Sequence, residues 1–181
     1  MWITGIIVLL IVFIDQLSKW LVRVNLSTKD TIVLIDNILE IQHVENRGMA
    51  GGLFDDSTIV LAIISLIATA GLIYFCAKYN NFHKDKMTTL RSVALSFALA
   101  GTAGNLFDRT IASISPLAEK ISNQIGYSTV GVVDMIHCPI FPMFGVFNIA
   151  DFFLVTAMCL LFLYFILEAI FDFKRDKNER V

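Results

Sequence analysis

The chain has 181 residues, 56% of them hydrophobic and only 17% charged, with 15 phenylalanines and a formal net charge of −2. So apolar a composition excludes an ordinary soluble domain; the net charge says little about partners, and no basic stripe points to nucleic acid. What remains is a protein built for lipid.

Four segments are long enough to cross a bilayer as helices: about 2–24, 57–77, 90–107 and 146–173. The first has no basic residue before Lys19 and no small-residue cleavage site after its apolar run, so it is expected to be a retained span and not a removable leader. Asp15 and Lys19 stand four positions apart on one helical face. Such a pair lowers the cost of burying either charge, which makes both structural.

The loop that follows contains two β-prone runs, Thr31–Ile35 and Ile38–Val44, separated by the turn pair Asp36-Asn37. A small hairpin is expected there. Next comes Glu45-Asn-Arg-Gly-Met-Ala-Gly-Gly52. A glycine-rich loop can offer backbone N–H groups to a carbonyl or anion, although a plain connector is the simpler alternative.

The third segment is rich in small residues (Ala94, Ala98, Ala100, Gly101, Ala103, Gly104), which permits close helix packing and places it at the centre of a bundle. It ends in Asn105-Leu-Phe-Asp108-Arg109. Asp108 is expected to be structural, held by Arg109 or a neighbouring helix end, while Asn105 is suited to bonding a substrate backbone. Beyond it Ile114, Leu117, Ile121 and Ile125 recur at helical spacing, with Ser115-Pro116 as a start and Gly126 as a stop, predicting a short amphipathic helix that lies along the interface or, equally, packs on the hairpin.

The stretch from Val132 to Asp151 holds an aspartate at each end, Asp134 and Asp151, and between them Pro139, Pro142 and Gly145 turn the chain back. Each carboxylate alone reads as a helix cap or an ion-pair member. Brought together away from water, they cannot both ionise readily, so one keeps a proton. That yields one base for a water and one acid for a scissile carbonyl or departing amine. His43, His83 and His137 form no metal-binding motif, and of three cysteines Cys76 and Cys159 lie in apolar segments as small buried side chains. Neither a metal nor a cofactor is expected.

Lys78, Lys84, Lys86 and Arg91 in one connection, and Lys174, Arg175, Lys177 and Arg180 in the tail, place both termini in the cytoplasm. The hairpin and the two aspartates then lie outside. A proton-coupled transporter using Asp15, Asp134 and Asp151 is the competing class, but the polar residues gather at one interface instead of laddering across the span.

Five blocks in this order resemble the lipoprotein signal peptidases of bacteria: Asp15-Gln-Leu-Ser-Lys19, Asn46-Arg-Gly48-Met-Ala50, Gly104-Asn105-Leu-Phe-Asp108-Arg109, Val132-Val-Asp134 and Phe147-Asn148-Ile-Ala-Asp151. The resemblance spans nearly the whole chain. It implies one peptidase domain over 1–181, a four-transmembrane-helix bundle with a small extracytoplasmic β-cradle, working in the bacterial cell membrane. It also implies an aspartic endopeptidase that cuts a prolipoprotein just before its diacylglyceryl-modified cysteine. Asp134 and Asp151 would be catalytic. Asn46, Gly48, Asn105, Arg109 and Asn148 would contact or support the substrate, and Asp15, Lys19 and Asp108 would be structural. The partners implied are the lipid-modified substrate and membrane lipid, with the chain acting as a monomer. The chain departs from the family's pattern in three places. Residues 110–131 look like an insertion, Gly51 stands where a bulky aromatic is common, and Ala100 stands where glycine is common.

Overall fold

The computed structural model describes residues 2–28, 30–48, 58–114 and 131–179. Four long helices, α1 (Trp2–Asn25), α2 (Thr58–Tyr79), α3 (Lys86–Ser113) and α4 (Ile149–Glu179), accompany one antiparallel sheet of β1 (Thr31–Ile35), β2 (Leu39–Asn46), β3 (Val132–His137) and β4 (Val146–Phe147), in the order β1-β2-β3-β4. Among the described residues three helices are long and apolar enough to cross a membrane: Trp2–Asn25, Thr58–Tyr79 and Ile149–Arg175. Their outward faces carry the large exposed side chains, among them Leu9, Phe13, Ile67, Phe162 and Phe165. Such a surface suits acyl chains and not water.

The small-residue segment behaves as its composition predicts. α3 packs against α1, α2 and α4 and buries Ala94, Ala98, Ala100, Gly101 and Gly104. It begins at Lys86, before the expected Leu90, because Asp85 caps it by accepting the Thr88 N–H at 2.8 Å. It runs past Phe107 to Ser113, one residue short of Ile114. The amphipathic helix expected beyond Ser115 lies outside the described residues, as does the glycine-rich run from Met49 to Gly52.

The hairpin forms where the β-prone runs and the turn pair put it, with Asn37 in the left-handed region at φ 59°. It is half of the sheet. The apolar run Val132–Ile136 adds β3 alongside β2, with Val44 opposite Asp134 and Asn46 opposite Val132. Val133 and Met135 on β3 pack onto Val22 of α1, joined by Leu26, Ile41 and Ile136, and this seats the sheet on one end of the bundle.

The expected fourth span from 146 needs correction at its start. Val146 and Phe147 are strand residues paired with His137 and Ile136, and the helix opens only at Ile149. Asn148 sets that boundary. Its side-chain oxygen accepts the Asp151 N–H at 2.9 Å and its backbone oxygen starts the helix with Phe152 N–H at 3.1 Å. Cysteine placement splits: Cys76 is fully buried between helices, whereas Cys159 is exposed on α4.

Candidate active site

The site lies where α1, α3, the start of α4 and β3 meet. Its foundation is a buried ionic cluster. Lys19 Nζ lies 2.7 Å from Asp15 Oδ2 and 2.7 Å from Asp108 Oδ2, with both partners essentially inaccessible. Arg23 adds a contact of 3.5 Å to the other Asp108 oxygen, and the Gln16 amide donates to Asp15, Asp108 and the Gly104 carbonyl. The i, i+4 pair of α1 was readable in the sequence. Asp108's partners were not: it is held by Lys19 and Arg23 across the helix interface, not by the adjacent Arg109. Arg23 and Gln16 were missed because nothing in their local sequence marks the face they share with Asp108.

Above this cluster, three asparagines organise the two aspartates. Asn148 Nδ2 donates to Asp134 Oδ1 at 2.7 Å and to Asn105 Oδ1 at 3.2 Å. Asn105 Nδ2 donates to Asp151 Oδ1 at 2.7 Å, its oxygen also receiving Lys19 Nζ at 3.2 Å. Asn46 Nδ2 donates to Asp134 Oδ2 at 3.0 Å, while the Gly48 N–H donates to the Asn46 oxygen at 3.1 Å. Every one of these amides has its oxygen occupied by a donor, so every one must present N–H to a carboxylate. Asp151 also sits in a reciprocal cap: it receives the Asn148 N–H at 3.4 Å while its own N–H goes to the Asn148 side chain.

Asp134 is 3% exposed. Burial, then the neighbouring Asp151 charge, push its carboxyl from 3.8 up to about 7, against the pull of the Asn46 and Asn148 donors. The turn holding both carboxylates in one place is the predicted reversal, a 3-10 turn at Pro142–Phe144 followed by Gly145 at φ 61°. Arg109, one turn beyond Asn105, reaches sideways to α2 and donates from Nη1 to Ser65 Oγ at 2.7 Å. Ser65 was missed, being a lone hydroxyl in an apolar run. Among the described residues no three His, Cys, Asp or Glu side chains are grouped to hold a metal ion.

Paired carboxylates, one buried and one half-buried, with fixed donors can do acid–base work on a carbonyl and a water. The match that decides the class is a family model described as signal peptidase (SPase) II, which covers residues 7–167. The chain belongs to the signal peptidase II family. A lipoprotein signal peptidase of Enterococcus faecalis (strain ATCC 700802 / V583) is 35% identical over 159 residues, 88% of this chain and 84% of that protein. Two solved structures described as bacterial membrane enzymes superpose with TM-scores of 0.73 and 0.69 at 27% and 28% identity. They cover 93% and 90% of this chain, and 90% and 92% of theirs. As a signal peptidase II, the protein is an aspartic peptidase of the membrane, a hydrolase that removes signal peptides.

Proposed function

We propose that this peptidase cleaves prolipoproteins immediately before a cysteine carrying a diacylglyceryl group, using Asp134 and Asp151 as its acid–base pair. The observation that carries this reading is Asn148, whose side chain touches Asp134 and caps the helix turn of Asp151. The value of about 7 for Asp134 supports giving it the shared proton. Asp151 then takes a proton from water as the water oxygen attacks the scissile carbonyl carbon. Asp134 gives its proton to the carbonyl oxygen, forming a gem-diol. On collapse, Asp151 passes its proton to the departing nitrogen, the C–N bond breaks, and Asp134 recovers a proton from the hydroxyl.

Asn46, Asn105 and Asn148 hold the carboxylates at fixed angles, Gly48 orients Asn46, and Arg109 faces the substrate beside them. Asp15, Lys19 and Asp108 form the rigid floor. The whole chain acts as one peptidase domain and as a monomer. α3 serves as the fourth span: 28 helical residues reach about 40 Å. Its polar residues are sheltered by the other three helices. The basic residues at 78–91 and 174–180 support cytoplasmic termini, which puts the sheet and the aspartates at the outer face. A substrate tethered by acyl chains enters there sideways from lipid, and binding of its signal helix orients the peptide bond.

The test uses the purified full chain in detergent with a synthetic prolipoprotein segment bearing diacylglyceryl-cysteine. Asp134→Asn and Asp151→Asn are expected to lose about 10³-fold or more in turnover while keeping a cooperative melting transition. Residual turnover near wild type in either variant removes that residue from the pair. Equal cleavage of the unlipidated peptide refutes the lipid requirement.

A further inference from the structure

Arg109 is an arginine among carboxylates that pairs with none of them. The charges of Asp151, Asp134 and Asp108 all act on it. Yet Asp108 is taken by Lys19 and Arg23, and among the described residues the guanidinium makes no ion pair. In so poorly solvated a place an arginine gains by collapsing onto a carboxylate in a forked contact. What holds it off is a hydroxyl: Ser65 Oγ, 2.7 Å from Nη1. Ser65 is itself 7% exposed, on the α2 stripe of Leu61, Ser65, Thr69 and Cys76 that faces the bundle. α2 carries no charged residue before Lys78, so Ser65 offers a neutral acceptor where a carboxylate would have captured the arginine outright.

We propose that Ser65 is a positioning residue for the peptidase reaction: its buried hydroxyl anchors Arg109 on α2, so that the remaining guanidinium N–H groups stay open to a carbonyl oxygen of the substrate beside the aspartates. The inference rests on the peptidase reading above and extends it to a helix that brings no other polar group to the site. If the anchor is removed, Arg109 folds back onto Asp151 or Asp134, closes the place where the substrate carbonyl docks, and locks one member of the pair as an anion. The charged groups acting on the guanidinium are Asp108 on its own helix, Asp134 on β3 and Asp151 on α4.

The experiment is steady-state cleavage of the diacylglyceryl-cysteine peptide by the full chain in detergent. Ser65→Ala is expected to raise KM about tenfold, the size expected for a hydrogen bond to a charged group, with a smaller fall in kcat. The acid limb of its pH profile should move to lower pH as Arg109 pairs with an aspartate. Ser65→Thr, which keeps the hydroxyl, should restore KM to within about twofold. On an Arg109→Lys background, Ser65→Ala should add little, since the forked cation it positions has gone. Melting midpoints of all variants are recorded beside the kinetics. Should the alanine variant fail to fold, Ser65→Cys, of similar volume and a weak acceptor, carries the same expectation. Unchanged KM and pH profile in a folded Ser65→Ala protein, or an equal effect with and without the Arg109 change, overturns the inference. Absence of cleavage by the unmodified chain overturns the peptidase reading instead, so the two failures are separable.

Discussion

Asp15 on α1 accepts the backbone N–H of Ala150 on α4 at 2.9 Å, across 135 residues of sequence. The same carboxylate holds Lys19 with its other oxygen. A carboxylate at a helix N-terminus meets the positive end of the helix dipole as well as an otherwise unsatisfied donor. Asp15 thus fixes α4 one residue ahead of Asp151, and the placement of a candidate catalytic group depends on a side chain of the first helix.

Cutting that tie should act on folding before chemistry. Asp15→Ala leaves Lys19 with a single counter-charge, Asp108, and frees the first turn of α4, and Asp108→Ala leaves both Lys19 and Arg23 short of a counter-charge. Breaking a buried pair costs about 3–5 kcal/mol. Folded yield and melting midpoint in detergent should drop sharply in both, with the surviving protein still turning over. Normal melting with no turnover would instead place these carboxylates in the reaction.

Asn148 separates capping from chemistry. Asn148→Ala loses the cap, about 1 kcal/mol, and the amide donor to Asp134. Asn148→Asp keeps an oxygen for the Asp151 N–H but replaces that donor with a third carboxylate. The aspartate variant should be inactive and melt below wild type although it keeps the cap, because it buries a third carboxylate against Asp134, whereas the alanine variant should lose the cap and activity together. Near-normal turnover in Asn148→Asp would show that the donor to Asp134 is dispensable.

Glycine substitutions on α3 should follow a graded order. A Cβ at Gly101 would stand 2.5 Å from the Ala150 carbonyl oxygen, a backbone atom that cannot swing aside. At Gly104 it would stand 2.9 Å from Asp15 Oδ2 and 3.1 Å from Ala150 Cβ. Overpacking typically costs about 1–3 kcal/mol. Gly101→Ala is expected to lower the melting midpoint more than Gly104→Ala, and thermal scans of the two purified proteins decide the order.

The pH profile follows from the raised value of Asp134. Because the folded state holds that proton more tightly than the unfolded chain, the group favours folding most below about pH 4, and this contribution declines as pH rises to about 7. A general acid must be protonated, so kcat/KM should fall as pH climbs through about 7. Asn46→Ala removes a donor that favours the ionised form, so the descending limb should move to higher pH. A limb that stays in place would detach it from Asp134.

Three apolar helices, the turn-broken stretch between Asp134 and Asp151, and the presence of those two carboxylates in apolar surroundings were legible along the chain. Each is a local property: hydropathy accumulates residue by residue, proline and glycine stop helices wherever they fall, and an ionisable side chain stands out in an apolar run. The run Val132–Ile136 shows the limit. Periodicity left its structure open, and only the ladder to β2 made it a strand.

Pairing across the bundle belongs to the tertiary structure. Nothing near Asp108 announces Lys19 and Arg23, nothing near Arg109 announces a serine 44 residues earlier, and no local rule says which aspartate each asparagine faces. Hydropathy needs only composition, so the sequence by itself determined a membrane protein with two marked carboxylates. A hydrogen bond needs two side chains to converge within about 3 Å, and that convergence depends on how helices far apart in the chain come to lie against one another.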